Sequence, residues 1–269
     1  MELRSGHRPR PRLTHAVFDW DGTLSFIRAG WAEVMLDQWM ALLPALPGET
    51  AEARRLKAHD DIWGLNGKPS IHQAARLSER IRERGGAVQD AQGLEHGYQR
   101  KLGEVVGGRI AAIRSGASSR EAWLVTGARA VVEALVDRGL VLHVVSGTQR
   151  RFVADEAEVL GMSGYLGGRI HGPVDATDTA YSKRGVIDAI LHEHGITGDE
   201  MVAFGDGHVE IEQSKAVGAL AVAVATDESV FHSGRTDAAK RDRLMGAGAD
   251  LCIPDFRDLG PLLEALGVA

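Results

Sequence analysis

The sequence predicts an α/β fold: a doubly wound parallel sheet, interrupted after its first strand by a helical insert. Three observations point there. From about Glu121 onward, short apolar runs alternate with helix-like segments, the pattern of a parallel sheet covered by helices on both faces. Before it lies a span of roughly 90 residues that lacks β-branched runs and is dominated by helical periodicity. Polar residues able to do chemistry recur where the apolar runs stop, and that edge is where open α/β sheets hold their ligands.

The first strand is read in "HAVF", followed by Asp19 and Asp21 with only Trp20 between them, then by Gly22 and Thr23 as a turn. Both carboxylates should therefore sit where strand gives way to loop. Two like charges that close are tolerated if one stays protonated or if a cation lies between them. In the insert, "AGWAEVMLDQWMALL" places Trp31, Val34, Met35, Trp39 and Leu42 near one helical face. "SIHQAARLSERIRERGG" opens on a capping-box pattern, Ser70 to Gln73, and closes on Gly85 and Gly86. "GGRIAAIRSGASS" reads as the return linker. Residues 27–119 are accordingly expected to form the insert, and residues 14–26 and 120–269 the α/β core.

Within the core, "GLVLHVVS" is a strand ending at Ser146, and "QRRFVADEAEVLGM" a helix stopped near Gly161. The glycines from Gly161 to Gly172 suggest turns around a short hairpin. "KRGVIDAILHEHG" is a helix with Val186, Ile187, Ile190 and Leu191 on one face, closed by Gly195. "EMVAFGDG" is a strand ending at Asp206, "VEIEQSKAVG" a helix, "ALAVAVA" and "DLCIP" further strands, and "LGPLLEALG" a last helix.

Bulk properties narrow the function. The 269 residues are 44% apolar and 25% charged, with a formal net charge of −6, the profile of a soluble globular protein with nothing that calls for nucleic acid. No apolar run reaches the ~20 residues of a membrane helix. Residues 1–13 are basic, carry Pro9 and Pro11 and lack an apolar segment, so a flexible arm is expected rather than a secretory signal. The single cysteine, Cys252, reads as a buried small hydrophobe, which fits a reducing, cytoplasmic compartment. No protein partner is called for.

Asp19 and Asp21, then Ser146, Gly147 and Thr148, then Asp206 fall at three predicted strand ends, with Lys183 opening a helix near the same edge. In this order "DWDGTL", "VVSGT", Lys183 and "FGDGHVE" resemble the four signatures of the haloacid dehalogenase-like superfamily. The resemblance implies a Rossmann-like core with a cap inserted after the first motif. It implies a Mg²⁺-dependent phosphomonoester hydrolase acting on a small phosphorylated metabolite through an aspartyl-phosphate. Asp19 would be the nucleophile and Asp21 the general acid and then base. Lys183 would neutralise charge. Mg²⁺ would be held by Asp19, the backbone carbonyl of Asp21 and Asp206. Glu210 stands where an aspartate is expected and would orient a metal-bound water. Thr23, Ser146, Gly147 and Thr148 would bind the phosphoryl group.

In the insert, "NGKPSIHQ" offers a loop feeding a helix N-terminus, with Lys68 and His72 as substrate contacts. Trp31, Trp39 and Trp63 read as insert core. "FDWDGTLSFIRAGWAEVM" and "FGDGHVEIEQSKAVGA" also resemble a subgroup of these phosphatases associated with carbohydrate kinases, which implies a phosphorylated sugar or a related compound. A sugar-phosphate mutase would use the same residues. A non-catalytic binding protein would not need them intact, and a dehalogenase or phosphonate-cleaving relative would have no use for Asp21. Other motifs fail on spacing: "GLNGKPS" as a phosphate loop, "GMSGY" as a nucleophile elbow, and "HEHG" at 192–195 as a zinc helix, which reads instead as an exposed helix end.

Overall fold

The computed structural model describes residues 1–66, 68–87, 89–175, 178 and 180–269. Among them, β1 (Glu2–Leu3), β2 (His15–Phe18), β3 (Val141–Val145), β4 (Ile170–His171), β5 (Met201–Gly205), β6 (Leu220–Val224) and β7 (Leu251–Ile253) form one sheet. Its order is β1-β7-β6-β5-β2-β3-β4. All pairings are parallel except that of β1 with β7.

Strand periodicity sorts the core into two faces. Ala16, Phe18, Leu142, Val144, Val202 and Phe204 belong to the larger core cluster, with Phe18 and Phe204 stacked at 4.5 Å. Their intervening neighbours Val17, Val145, Met201 and Ala203 pack in a second cluster on the other face. Such double coverage is what a buried parallel sheet requires.

Between β2 and β3 the chain builds α1 (Trp31–Leu42), α2 (Ala51–Trp63), α3 (Ser70–Glu83) and α4 (Ala91–Arg114), then α5 (Ala128–Asp137) against the sheet. The segments leading into and out of the four-helix insert lie side by side: Val125 N donates to Leu24 O (3.0 Å) and Phe26 N to Trp123 O (2.8 Å). Arg109 ties α4 to this base, donating to Ile27 O and Ala29 O, both at 2.8 Å, and lying over the Trp123 ring. The remaining helices are α6 (Arg150–Val159), α7 (Ser163–Leu166), α8 (Lys183–His194), α9 (His208–Ala216), α10 (Ala238–Gly246) and α11 (Leu259–Leu266). Val131, Val132, Val153 and Leu262 of α5, α6 and α11 join the larger cluster. Ile187 and Ile190 of α8 join the second, and Ile211 and Leu244 of α9 and α10 a third with Ala221, Ala223 and buried Cys252. No helix among the described residues is long and apolar enough to cross a membrane.

Four local expectations are corrected. The stretch read as the return linker begins as the last turns of α4, residues 107–114, and only residues 115–119 lie beyond the helix, whose 24 residues include Gly103, Gly107 and Gly108; burial of Tyr98, Leu102 and Val106 outweighs the poor helix propensity of the glycines. The capping box does not form: Pro69 is the N-cap, and the Ser70 hydroxyl instead donates to Glu95 Oε1 and accepts from Gln99 Nε2, both at 3.0 Å. The segment read as a hairpin holds α7 and then β4, which runs parallel to β3, and a parallel partner demands a crossover, not a tight turn.

The N-terminal arm, expected to be flexible, lies along the core. Glu2 and Leu3 pair with Cys252 and Leu251, Arg4 N donates to Asp250 O (2.9 Å) and Arg10 N to Leu266 O (2.8 Å), and Arg10 Nη1 reaches Gly218 O (2.6 Å). The physical reason is the free edge of β7, whose polar backbone groups the arm satisfies. Deleting residues 2–12 is therefore expected to lower the unfolding free energy by about 2 kcal/mol, two or more net hydrogen bonds, in a urea titration. An unchanged midpoint would show the arm to be unattached in solution.

Candidate active site

Neighbouring strands β5, β2 and β3 end side by side, so the residues that follow them meet at one edge. Asp19 follows Phe18, Ser146 follows Val145, and Asp206 comes directly after Gly205. Asp19 N continues the ladder by donating to Phe204 O (2.9 Å). Lys183, first residue of α8, stands 2.9 Å from Asp19 Oδ2 and forms a second, very short ion pair with Glu210 of α9. Asp19 and Lys183 are 7% and 4% exposed, so these charges interact with little screening.

Gly22 is required here by more than the turn. Its φ is +71°, and a Cβ would come within 2.5 Å of Asp206 Oδ2. The first motif thereby lets backbone and a carboxylate from another strand approach as no other residue would allow. Asp21 Oδ2 accepts a hydrogen bond from Thr148 Oγ1 (2.7 Å), and Thr148 N donates to Ser146 Oγ (3.0 Å). Asp21 Oδ1 and Glu210 Oε2 are buried without a partner.

Burial pushes Asp19 well above the ordinary carboxylate range, against the pull of Lys183. Burial also raises Asp21, opposed by Arg28 and by the Thr148 hydrogen bond. Asp206 rises to about 6 through burial, against Lys240. Glu210 is the opposite case: burial would raise it, but Lys183 chiefly holds it down at about 2. On Lys183, burial acts downward and the carboxylates of Asp19 and Glu210 outweigh it, so the ammonium is held. One edge thus holds two buried acids whose neutral forms burial favours, Asp19 opposed by Lys183 and Asp21 opposed by Arg28 and Thr148.

Asp19, Asp206 and Glu210 each present a carboxylate oxygen within 4.8 Å of the others. An all-oxygen donor set suits a hard divalent cation such as Mg²⁺, and the unpartnered Glu210 oxygen leaves a coordination place to fill. The Asp21 side chain is not part of this cluster.

Asp19, Asp21, Ser146, Gly147, Thr148, Lys183 and Asp206 all line one cavity between the sheet edge and the insert, and Lys68 lines its far wall. Gly67, beside it in the anticipated contact loop, lies outside the described residues. Three expected positions fall elsewhere. Thr23 is fully buried with an unpartnered hydroxyl, away from the lining, and Glu210 and His72 also lie outside it. Trp31, read as insert core, reaches the cavity while packing on Trp63 at 5.3 Å.

Sequence reading missed two ion-paired groups. Arg28 lines the cavity and pairs with Glu156 (2.7 Å), whose other oxygen accepts from Trp20 Nε1 (2.9 Å). Lys240 of α10, nearly buried, bridges Asp206 (2.9 Å) and Glu228 (2.7 Å). Lys240 lies far from any motif, and Arg28, though it follows the first motif closely, carries no signal of its role; the tryptophan between Asp19 and Asp21, which needs a buried acceptor, was the available hint for Glu156. Lys240→Met leaves two carboxylates facing each other without their cation. It is expected to cost about 3 kcal/mol of unfolding free energy in chelator-treated protein, measured by urea denaturation; a loss near zero would show that the bridge is not formed.

Comparison with known proteins bears on the fold and the family. No curated protein matches the chain. Its fold is shared by a predicted phosphoglycolate phosphatase from Haemophilus somnus 129PT (TM-score 0.62, 14% identity, covering 93% of this chain and 98% of that one). It is shared too by a predicted phosphatase from Clostridium acetobutylicum (0.60, 16%, 94% and 99%) and by a candidate beta-phosphoglucomutase from Bacteroides vulgatus (0.56, 17%, 95% and 89%). A family profile described as haloacid dehalogenase-like hydrolase matches residues 13–218, a span that runs through all four motifs, and the chain belongs to that family of hydrolytic enzymes.

Proposed function

We propose that the protein is a Mg²⁺-dependent phosphomonoester hydrolase for a small phosphorylated polyhydroxy metabolite, working through an aspartyl-phosphate. The observation that carries this reading is the pairing of Asp19, ion-paired to Lys183 at 2.9 Å, with Asp21, hydrogen-bonded to Thr148 at 2.7 Å, on the wall of one cavity.

The phosphoryl group sits against Ser146, Gly147 and Thr148, with its charge facing Lys183. A carboxylate oxygen of Asp19 attacks phosphorus as the ester P–O bond breaks, and Asp21 gives its proton to the leaving alkoxide. Asp21, now a carboxylate, takes a proton from water. That water attacks phosphorus and releases inorganic phosphate and free Asp19. Asp19, Asp206 and Glu210, with the Asp21 carbonyl, would hold Mg²⁺, which would supply positive charge against the phosphoryl oxygens. Burial favours the protonated form of Asp21 that the first step needs, and the Lys183 ammonium favours the ionised Asp19 that attacks.

The insert acts as a cap that excludes bulk water and selects the substrate. Its cavity wall carries Ser70, Glu95, Gln99 and Lys68, with the Gln99–Ser70–Glu95 hydrogen-bond chain already in place. Donors and acceptors so arranged suit a substrate rich in hydroxyl groups, which supports a sugar phosphate over an apolar ester.

Phosphate release from a panel of sugar and polyol phosphates is expected with Mg²⁺ and to vanish with EDTA, and Asp19→Asn should lower kcat by at least about a thousandfold, the scale of losing the covalent route. Conversion of sugar phosphates into isomers without phosphate release would overturn the hydrolase reading.

A second expectation concerns pH. The Thr148 hydrogen bond favours ionised Asp21, so Thr148→Val raises the Asp21 pKa. The basic limb of kcat/KM, which follows loss of the acid form, should then move to higher pH by about one unit. A limb that stays in place would show that Asp21 is not the acid.

A further inference from the structure

A second cluster of titratable rings lies at the opposite end of β2, away from the phosphoryl site. His15 opens β2, His143 lies within β3, His171 ends β4, and His194 is the last residue of α8. Asp19 is four residues beyond His15, about 13 Å along an extended strand. His15 and His143 are 5% and 2% exposed, whereas His194 is open to solvent.

The rings face one another. His15 lies 4.5 Å from His194 and 5.8 Å from His143, and His143 lies 5.5 Å from His194, centroid to centroid. One nitrogen of each of these three lies within 4.8 Å of the others. The Nδ1 atoms of the two buried rings are already engaged. His15 Nδ1 is 2.9 Å from Thr14 Oγ1, and His143 Nδ1 is 3.3 Å from His171 Nε2. That leaves Nε2 of His15 and Nε2 of His143 buried with no partner. Two orphaned ring nitrogens on neighbouring strands are a cost the fold carries without return unless something binds them.

We propose that His15, His143 and His194 form a site for a divalent transition-metal ion, of which Zn²⁺ is the best fit, separate from the carboxylate cluster. Three imidazoles and no carboxylate favour Zn²⁺, Ni²⁺, Co²⁺ or Cu²⁺ over Mg²⁺. Zinc takes imidazole nitrogen at about 2.0–2.1 Å in a tetrahedron, so the three nitrogens must draw together from their present spacing. His194, exposed at a helix end, is the ligand free to close, and its side of the site leaves the fourth position to water. Thr14 and His171 hold the buried rings from behind, as outer partners of metal-bound histidines do. The buried rings are neutral, the ligand form: burial, then the neighbouring imidazoles, pushes His143 down to about 3, and burial lowers His15 as well. The spacing in "HEHG" is not what builds this site. One histidine of that pair joins two from the sheet.

The test uses the full chain, stripped with chelator and returned to buffer with excess Mg²⁺, which fills oxygen sites but not imidazole sites. Calorimetric titration with ZnCl₂ is expected to show a binding event that His194→Ala weakens at least tenfold, while His192→Ala, on the same exposed helix end, leaves it intact. Titration with Co²⁺ should give the visible absorption of a low-coordinate, nitrogen-ligated ion, lost in the same variant. Wild-type and His194→Ala isotherms that coincide, an absence of Zn²⁺ binding in the wild type, or equal weakening by His192→Ala would overturn the proposal. Because His194 is exposed and terminal, its truncation does not endanger folding, and circular dichroism checks this directly.

Discussion

Confining like charges in a nearly dry edge of the sheet is the constraint on which the rest of the site depends. Asp19, Asp206, Glu210 and half-buried Glu228 converge on two buried ammonium groups, Lys183 and Lys240. Each lysine stands between two carboxylates, so no carboxylate of the group lacks a cation within ion-pair distance. When all are ionised there are two more carboxylates than ammonium groups, an imbalance that one divalent cation would offset. Without such a cation the imbalance appears in the elevated pKa values of Asp19 and Asp206, where burial favours the neutral acid. The arrangement costs folding free energy, since buried ion pairs seldom recover their full desolvation penalty. The expense makes sense where charge develops on a substrate and must meet fixed partners.

Topology supplies the convergence. Parallel strands β5, β2 and β3 are adjacent and expose their carboxyl ends in the same direction, so side chains far apart in sequence need no long reach to meet. The insert leaves and rejoins the sheet at one doubly hydrogen-bonded base and shares its apolar core: Trp39, Leu77 and Leu102 belong to the same cluster as Phe18 and Trp20. The insert side of the cavity is thus carried on packed helices continuous with the core rather than on a loose loop.

What was legible in the sequence is what is decided locally. Strand ends bearing Asp19, Ser146 and Asp206 could be read because an apolar run and its terminating turn lie within a few residues. Lys183 could be read because it opens a helix with a recognisable stop at Gly195. Lys240, Glu228, Arg28 and Glu156 were not legible, since their role arises from contacts between α10, α6 and loops that no spacing rule connects. Ser70 shows the same limit from the other side: a sound local capping pattern is overridden because Glu95 and Gln99, on another helix, make better use of the hydroxyl. The glycines of α4 look like a linker only until the buried face around Tyr98 and Leu102 is known. The N-terminal arm looks mobile only until the free edge of β7 is known.

Helix α8 shows how these levels join. A lysine in the first turn of a helix meets the positive end of the helix dipole, where a carboxylate would be preferred. Lys183 stands there nonetheless, because Asp19 and Glu210 outweigh both the dipole and the loss of hydration. The helix start is fixed separately, by Ser182 accepting from Gly185 N at 3.1 Å, so backbone capping and ion pairing act on adjacent residues. Along its length Ile187 and Ile190 press on Val17, Val145 and Ala203, and at its far end His194 meets the rings of β2 and β3. Twelve residues are thereby anchored to the sheet at both ends and in the middle. A charge held 2.9 Å from Asp19 has such support: a free lysine samples many rotamers, whereas one carried on a fixed helix and clasped by two acidic side chains has few left to lose.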